Sequence, residues 1–283
     1  EPLYNTVVWQ DRRTAEAAEQ LAAQHGAFIM ERTGLAVDSY FSALKLRWLL
    51  DNAPSAQDLL AQDRLAAGNM DAWLAWNITG GAHVTDPSTA SRTMLMNLHS
   101  CDWDEDVLAL LDIPRSILPQ IRDSASPFGC ADPAHFCGIS APLSGMLNDQ
   151  QAALFGQTCF QPGDSKVTYG TGAFLLMNTG ETPIFSKNGL VTTIAWGLDG
   201  KVNYALEGSI FVDGQSIDNF SSSALAQKIS YISQSRKTPD ITVSRMVLHG
   251  RFPYLTYPRR YRSEDFAAAN EAMAWVGIED LAD

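Results

Sequence analysis

The amino-acid sequence predicts an α/β protein in which helices flank a mixed β-sheet. Up to about residue 157, stretches with the spacing of amphipathic helices alternate with short strand-like apolar runs, which is typical of α/β proteins. Beyond that point, runs rich in Val, Thr, Ile and Tyr follow one another, and the dipeptide Asp199-Gly200 is a strong signal for a tight hairpin turn. This change from alternating helices and strands to successive strands indicates a domain boundary between residues 157 and 165.

The first half of the chain consists of short elements with recognisable ends. Residues 7–9 are a strand-like run, and the helix that follows is predicted to begin at Thr14 and to end at Gly26, the residue type favoured just past a helix end. Ser55 and Asp58 are spaced like a capping box at the start of a short helix. The other elements predicted in this half are helices over 42–51, 72–76, 103–113 and 116–121 and a strand over 92–99.

The second half is predicted to be mostly strand until about residue 213. The strand-like runs cover 165–180, 189–208 and 209–212, and the last helix covers 263–275 with Ser263 as its cap. Residues 215–262 contain eight Lys/Arg against two Asp/Glu, a net charge of +6, whereas the rest of the chain carries −18. The predicted regions are 1–157, 158–213, an atypical basic, serine-rich segment 214–258, and 259–283.

Composition and charge disfavour several classes of protein. A net charge of −12 over 283 residues argues against general binding to nucleic acid or to acidic membranes, because both are polyanions. No apolar run reaches the roughly 20 residues that span a bilayer. Cys130, His135 and Cys137 lie close together but fit no common zinc motif, so no metal site built from these side chains is expected. With four scattered cysteines, a reducing cytoplasmic location is the simplest expectation.

The segment NDQQAALFG contains the first candidate for chemistry. Asn148 and Asp149 precede a helical pattern, and both residue types are favoured as N-caps, where a side-chain oxygen accepts a hydrogen bond from a free backbone N–H. The alternative is that Asp149 faces a cleft and accepts a proton as a general base. These residues alone leave both interpretations open.

The segment VTYGTGAFLL contains the second candidate. Gly170 and Gly172 enclose Thr171 between two strand-like runs. Glycines in such a turn let backbone amides approach an anion closely, and the threonine hydroxyl adds a further donor. This composition fits a phosphate-binding hairpin, although most turns of this kind are turns and nothing more.

Taken together, these two segments resemble the FGGY family of carbohydrate kinases. The pair DQQAALFG and YGTG followed by Phe174 is specific for that family, and the resemblance runs almost continuously from residue 3 to about 213. SYFS followed by TDPSTASRT favours the glycerol kinases over the pentulose and gluconate kinases of the family. The resemblance implies the actin-like, ribonuclease-H-like ATPase fold and ATP-dependent phosphorylation of glycerol to sn-glycerol 3-phosphate.

The resemblance also implies roles for individual residues around the substrate. Asp149 matches the general base that takes the proton of the terminal glycerol hydroxyl. Gln150 and Tyr40 match residues that bind glycerol hydroxyls, and Trp9 and Phe174 match the apolar wall against the carbon chain. Taken singly, each of the three aromatic residues is better interpreted as a packing residue of the core, but their joint match to the family favours the site interpretation.

The resemblance assigns the nucleotide side of the site to the glycine-rich turn. Thr171, with Gly170 and Gly172 beside it, matches the residue that contacts the nucleotide phosphates, and ATP and Mg²⁺ are the implied ligands. The family's opening phosphate loop, which helps to place Mg²⁺, and its glycerol-binding Arg-Glu pair have no counterpart in this sequence, which begins with Glu rather than Met. A first domain that lacks its opening strands is therefore expected.

The C-terminal part departs from the family as well. The resemblance stops near Asp213-Gly214, and only the stretch RRYRSEDFAAANEAMAW is again similar to the end of the family. We expect a partial second domain and an incomplete kinase, truncated at its N-terminus and aberrant or internally deleted in its C-terminal part. Three alternatives stay open: a non-catalytic remnant, an interaction protein and a related FGGY sugar kinase. A homo-oligomer is also left open by the sequence.

Overall fold

The chain forms two compact units, Glu1–Gly208 and Ser209–Asp283. The computed structural model describes residues 1–169, 173–187, 189–209, 211–212, 215–216, 242–255 and 258–277. The domain boundary predicted near residue 157 falls inside the first unit and stays a prediction.

The first unit alternates helices with short strands before it reaches a larger sheet. Its described helices are α1 (Ala15–Thr33), α2 (Ser42–Asn52), α3 (Ala56–Ala61), α4 (Met70–Thr79), α5 (Pro87–Ala90), α6 (Glu105–Leu110) and α7 (Asp149–Gly156). A 3₁₀ turn covers Arg115–Ile117. The strands are β1 (Val84–Thr85), β2 (Met96–Asn97), β3 (Asp102–Trp103), β4 (Gln120–Ile121), β5 (Gly129–Cys130), β6 (Pro142–Leu143), β7 (Ser165–Tyr169), β8 (Ala173–Gly180), β9 (Val191–Leu198) and β10 (Lys201–Ser209).

Helix α1 is longer than the sequence predicts. Gly26 lies inside it, and the helix ends at Gly34, which has a left-handed φ of +74° and whose N–H donates to the carbonyl of Met30 at 2.9 Å. The prediction that Gly26 ends the helix was therefore wrong. A glycine in a helix interior costs only about 0.5–1 kcal/mol relative to alanine. Burial of Ile29 in the turn that follows outweighs this cost.

Several other predicted elements differ in form from the observed ones. Residues 7–9 form no strand, and residues 116–121 form the end of the 3₁₀ turn and then strand β4 instead of a helix. The strand predicted over 92–99 is reduced to β2. Thr14 and Ser55 occupy N-cap positions, but neither side chain makes a cap hydrogen bond. The helices predicted over 42–51, 72–76 and 103–113 are confirmed as α2, α4 and α6.

A four-stranded sheet with the order β7-β8-β10-β9 forms the end of the first unit. Strands β7 and β8 are antiparallel, and β9 and β10 form an antiparallel hairpin. The turn between β9 and β10 is Asp199-Gly200. Its φ values are +52° and +73°, as a type I′ turn requires, so the predicted hairpin is confirmed. Earlier in the chain, β1 and β4 pair in parallel, whereas β2–β3 and β5–β6 are antiparallel. The α/β class is confirmed.

Two apolar clusters pack helices of the first unit against strands of the four-stranded sheet. The larger one joins buried side chains of α1, α2, α5 and α6 to strands β9 and β10, where Tyr204 contributes its ring. The smaller one lies at α7, where Leu154 packs with Leu176 of β8 and Trp196 of β9. Complete burial of a leucine contributes roughly 1.5–3 kcal/mol. Because α7 begins at Asp149, this packing determines where the predicted base lies.

The second unit has its own small set of elements. They are β11 (Phe211–Val212), β12 (Gln215–Ser216), α8 (Val243–His249), a 3₁₀ turn at Phe252–Tyr254 and α9 (Ser263–Val276). The helix predicted over 263–275 is confirmed, but its N-cap is Arg262 instead of Ser263. The carboxylate of Asp265 accepts hydrogen bonds from the backbone N–H of Arg262 and from Nε of Arg251, both at 3.0 Å. In the described part of the chain, no helix is both long and apolar enough to cross a membrane.

Candidate active site

Asp149 is the first residue of α7, and its side chain is exposed at the start of that helix. The backbone just before it is fixed by helix α5, because the N–H of Asn148 donates to Oγ of Ser88 at 2.9 Å. Ser88 Oγ in turn donates to the buried carboxylate of Asp86 at 2.9 Å, which also accepts from Oγ of Ser124 at 2.7 Å. The position of Asp149 therefore depends on a buried polar network formed by residues distant in sequence.

The N-cap interpretation of this segment fails for Asn148. This residue occupies the N-cap position of α7, yet its side chain makes no hydrogen bond to the helix. Asp149 lies one residue further, inside the helix, and its Oδ2 accepts a hydrogen bond from Nε2 of Gln150 at 3.2 Å. An exposed carboxylate with an amide beside it is suited to accept a proton, and the general-base role stays a prediction.

Gln150 lies between the acid and a buried lysine. Its Oε1 accepts a hydrogen bond from Nζ of Lys166, and Lys166 also donates to Oγ1 of Thr168 at 2.7 Å. Only 2% of the surface of Lys166 is exposed. Burial lowers the pKa of Lys166, while the negative charges of Glu207 and Asp149 oppose that shift. A buried ammonium group thus lies within electrostatic range of two carboxylates.

Tyr40 lies beside a buried ion pair. Arg92 Nη2 is 2.9 Å from Oε1 of Glu207, and the two side chains are only 11% and 7% exposed. Burial raises the pKa of the Tyr40 phenol; the charge of Arg92 opposes this shift, and Glu207 and Asp149 raise the pKa further. The structure therefore brings Tyr40 into the same electrostatic environment as Asp149, although the two are far apart in sequence.

Trp9 packs on Tyr40, with ring centroids 5.5 Å apart and an angle of 57° between the ring planes. Nζ of Lys45 donates to the backbone carbonyls of Trp9, at 3.2 Å, and of Tyr40, at 3.1 Å. Burial lowers the pKa of Lys45, and the charges of Asp11 and Asp38 oppose the shift. Trp9 stays 48% exposed, so it is not a core aromatic and has surface free to contact a ligand.

Phe174 is half-buried on β8, where it pairs with Thr168 of β7. Because directly paired residues of antiparallel strands share a face, and alternate residues of one strand do so too, Phe174 lies on the sheet face occupied by Lys166. Among the residues that the structure describes, no ring contact joins Phe174 to Trp9 or Tyr40. The apolar wall predicted from these aromatic residues stays a prediction.

The glycine-rich turn between β7 and β8 lies outside the described residues. Gly170, Thr171 and Gly172 belong to it, and their contact with nucleotide phosphates stays a prediction. The two strands that lead into and out of the turn are described, and they pair along their whole length from Ser165–Met177 to Tyr169–Ala173.

The family model for the FGGY family of carbohydrate kinases, N-terminal domain, matches residues 1–156, more than half of the chain. The chain belongs to the FGGY family. This FGGY chain is 56% identical over 216 residues to the glycerol kinase of Stenotrophomonas maltophilia (strain R551-3) and 55% identical over 218 residues to that of Halorhodospira halophila (strain DSM 244 / SL1). Each match covers 76% of this chain and 43% of the relative.

A solved structure, Plasmodium falciparum glycerol kinase with ADP, has the same fold as the FGGY chain. The TM-score is 0.71 at 40% sequence identity, over 74% of this chain and 42% of that chain. The expected actin-like ATPase fold of the FGGY sugar kinases is thereby confirmed. The FGGY chain spans less than half the length of the glycerol kinases that it matches.

Cys130, His135 and Cys137 lie close together in the sequence of the FGGY chain, and no metal site is expected from them. Within the described ranges, no group of three or more His, Cys, Asp or Glu side chains could hold a metal ion. His135 pairs with Asp132 at 3.0 Å, and Sγ of Cys130 lies 3.6 Å from Oγ of Ser140.

The sequence of the FGGY chain did not predict four charged residues of this site: Lys45, Arg92, Lys166 and Glu207. A usable signal was present, because Lys45 interrupts the leucines of α2 and Glu207 interrupts the apolar run YALEGSIFV. Charged residues at positions that a pattern assigns to the core are rarely buried without a partner. The partners themselves were not predictable, since Arg92 and Glu207 are 115 positions apart.

Proposed function

We propose that this protein transfers the γ-phosphoryl group of ATP to a terminal hydroxyl of glycerol and forms sn-glycerol 3-phosphate. The observation that carries the proposal is the exposed carboxylate of Asp149 at the start of α7, beside Gln150 and in electrostatic range of Tyr40. The identity to glycerol kinases supports glycerol as the acceptor.

In the proposed reaction, Asp149 accepts the hydroxyl proton while the hydroxyl oxygen forms a bond to the γ-phosphorus. The bond from that phosphorus to the bridging oxygen breaks, and ADP leaves. A hydroxyl is a poor nucleophile at neutral pH, so a positioned carboxylate helps, although positioning and charge stabilisation supply most of the acceleration in phosphoryl transfer. Gln150 and Tyr40 would bind substrate hydroxyls, and Trp9 and Phe174 would contact the carbon chain.

ATP is the second substrate of the proposed reaction. Its phosphates would lie at the turn that contains Gly170, Thr171 and Gly172, for which the support is the sequence pattern between β7 and β8. Among the described side chains, no group of three or more His, Cys, Asp or Glu could hold a metal ion by itself. Because Mg²⁺ usually binds through substrate phosphates and one or two carboxylates, its part in the reaction rests on the family alone.

We also propose a cytoplasmic location. The proposed reaction consumes ATP, and the four cysteines are free, as expected in a reducing compartment.

Calorimetry and a coupled assay on the purified 283-residue chain test the proposed function. Binding of glycerol and of a non-hydrolysable ATP analogue are the results expected from the proposed function. Formation of glycerol 3-phosphate is expected only if this chain, which covers 43% of the length of its relatives, positions both substrates by itself. Glycerol binding without nucleotide binding would favour the non-catalytic alternative, and a preference for xylulose or gluconate would favour another FGGY sugar kinase. A chain that binds neither glycerol nor the ATP analogue would contradict the proposal.

Replacement of Asp149 by Asn tests the base directly. Asp149→Asn keeps the size of the side chain but removes its basic oxygen, so turnover should fall about 10²–10⁴-fold. Asp106→Asn, at an exposed position of α6, is the matched control and should leave turnover unchanged. Equal turnover in the unmutated chain and in Asp149→Asn would exclude Asp149 as the base.

A further inference from the structure

Lys166 is a buried cation that the proposed reaction does not yet use. It lies on β7 and has two polar side-chain partners, Oε1 of Gln150 and Oγ1 of Thr168. A protonated lysine has three donors and no acceptor. Each side-chain atom that hydrogen-bonds to Nζ must therefore be an acceptor. One of these atoms is Oε1 of Gln150, the residue next to Asp149.

The requirement fixes the direction of the Gln150 carboxamide. Its oxygen and nitrogen ends are nearly equal in shape, so a free glutamine can present either one to a ligand. With Oε1 held by Lys166, Nε2 is directed to Asp149, whose Oδ2 accepts from it at 3.2 Å. Gln150 thus presents donors, and not an acceptor, on the side of the predicted base.

We propose that Lys166 is a positioning residue that locks the carboxamide of Gln150 with its NH₂ group toward Asp149. The inference rests on the proposed function, because its consequence concerns the substrate hydroxyl. Gln150 Nε2 donates to the oxygen of the hydroxyl that lies at Asp149, which leaves the proton of that hydroxyl to point at the carboxylate. A reversed amide would compete with Asp149 for this proton.

The surroundings of Lys166 explain how an ammonium group is accommodated in a buried position. Glu207 and Asp149 supply two negative charges within electrostatic range of Nζ. Glu207 also pairs with Arg92, so one buried carboxylate lies within electrostatic range of two buried cations. Lys166 also lies two residues before Thr168, on the strand that leads into the predicted phosphate turn, and so it connects the substrate side to that strand.

Nuclear magnetic resonance of the full chain labelled with ¹⁵N-glutamine tests the lock without any ligand. The side-chain signals of Gln150 are assigned by their loss in Gln150→Glu. In Lys166→Met the exchange of these NH₂ protons with water should accelerate about tenfold, because one hydrogen bond to a charged group is lost. Thr168→Val, which removes the other partner of Lys166, is the matched control and should leave the exchange unchanged. Unchanged exchange in Lys166→Met would overturn the proposal.

Glycerol calorimetry then tests whether Lys166 acts through Gln150. Lys166→Met should weaken glycerol binding about tenfold, and Thr168→Val should not. In a Gln150→Leu background, Lys166→Met should add less than about a twofold loss, because there is no amide left to orient. If Lys166→Met weakens glycerol binding by the same factor with and without Gln150, the proposal is overturned.

The two tests separate this inference from the proposed function. If the unmutated chain binds no glycerol, the proposed function fails, and the exchange of the Gln150 amide still decides the role of Lys166. If Lys166→Met does not fold, a scalar coupling across the hydrogen bond, from ¹⁵Nζ of Lys166 to the side-chain carbonyl carbon of Gln150, is measured in the unmutated chain. If this coupling is present, it supports the proposed orientation of the Gln150 carboxamide by Lys166. If it is absent, the proposal is overturned.

Discussion

At the residue scale, several of the buried charges among the described residues lie where the sequence predicts chemistry. Arg92 and Glu207 form a nearly inaccessible pair next to Tyr40, and Nη1 of Arg92 and Oε2 of Glu207 lack hydrogen-bond partners among the described residues. Desolvation makes such a pair a poor source of stability. Its position beside Tyr40, and the electrostatic influence of Glu207 on Lys166, are better explained by a role in fixing the orientation of site residues.

Asp104 is a buried charge with a different, purely structural role. It caps α6 by accepting from the backbone N–H of Asp106 and Val107, and it accepts from Asn97 at 2.7 Å and from Arg32 at 3.0 Å. Asp104→Ala removes the cap and leaves these donors without an acceptor. We expect unfolding in urea to show a loss of about 2–4 kcal/mol in the free energy of unfolding.

The matched control for this substitution is Asp106→Ala. Asp106 pairs with the same arginine, Arg32, at 2.6 Å, but its side chain is 65% exposed. An exposed ion pair contributes little, so the change should stay within about 1 kcal/mol. Equal losses in the two variants would show that the ion pair with Arg32, and not the buried cap, stabilises this region.

Acidification should reduce the difference between the unmutated chain and Asp104→Ala. Burial alone would raise the pKa of Asp104, but hydrogen bonds from Val107, Asn97 and Arg32 outweigh it and hold the pKa below its usual value. A lowered carboxyl pKa stabilises the folded state above the unfolded value of about 3.9, and this contribution is lost as pH falls through the lower native pKa. The difference should therefore be full at pH 7 and shrink below about pH 4.

Site residues differ in how far they were predictable from sequence. Asp149, Gln150 and Tyr40 belong to local motifs, and the structure brings them within electrostatic or hydrogen-bond range of one another. Lys166 was not predictable, because its role depends on a contact with Gln150 across two elements. Local composition determines which side chains are available, but the tertiary packing determines which atoms of those side chains meet.

At the element scale, the end of α1 shows why helix boundaries are hard to predict. Gly26 and Gly34 are both plausible stop signals, and only the second one is used. Gly34 lies where the chain passes close to β9: the N–H of Thr192 donates to its carbonyl at 2.9 Å. A tertiary contact, which the local sequence does not show, therefore determines which of the two glycines ends the helix.

Substitution of the two glycines should have opposite effects. A Cβ on Gly34 would lie 2.4 Å from the carbonyl oxygen of Thr192 and 2.5 Å from Cδ1 of Leu98, at a left-handed φ of +74°. Gly34→Ala should therefore destabilise the chain by about 2–4 kcal/mol. A Cβ on Gly26 would have no neighbour within 4 Å, so Gly26→Ala should stabilise by about 0.5–1 kcal/mol. Thermal unfolding of both variants measures the difference, and a shift of the same sign in both would contradict the packing argument.

The strands also differ in how far the sequence predicts them. The β9–β10 hairpin was predictable because its turn, Asp199-Gly200, encodes the geometry locally. The two-residue strands β1 to β6 were not, since each is too short to show a period of two and exists only through its partner. The strand predicted over 92–99 illustrates this: Met94 has a left-handed φ of +65°, and only β2 pairs.

At the scale of the whole molecule, the described residues of the candidate site all belong to one compact unit. Trp9, Tyr40, Asp149 and Gln150 lie in Glu1–Gly208, and so does Lys166. The part of the chain with the inverted charge, 215–262, belongs to the other unit. The binding of glycerol can therefore be tested separately from the part of the chain that departs from the family.

A chain shortened to residues 1–209, which keeps strand β10 whole, should fold and bind glycerol with an affinity within about threefold of that of the full chain, because it keeps every described residue of the site. Calorimetry on both chains measures this, and Gln150→Leu in the shortened chain is the control that should lose binding. Folding without binding in the shortened chain would mean that the second unit contributes directly to the site. Failure to fold would mean that the first unit draws its stability from residues beyond 209, and the division into two compact units would then not be a division into two folding units.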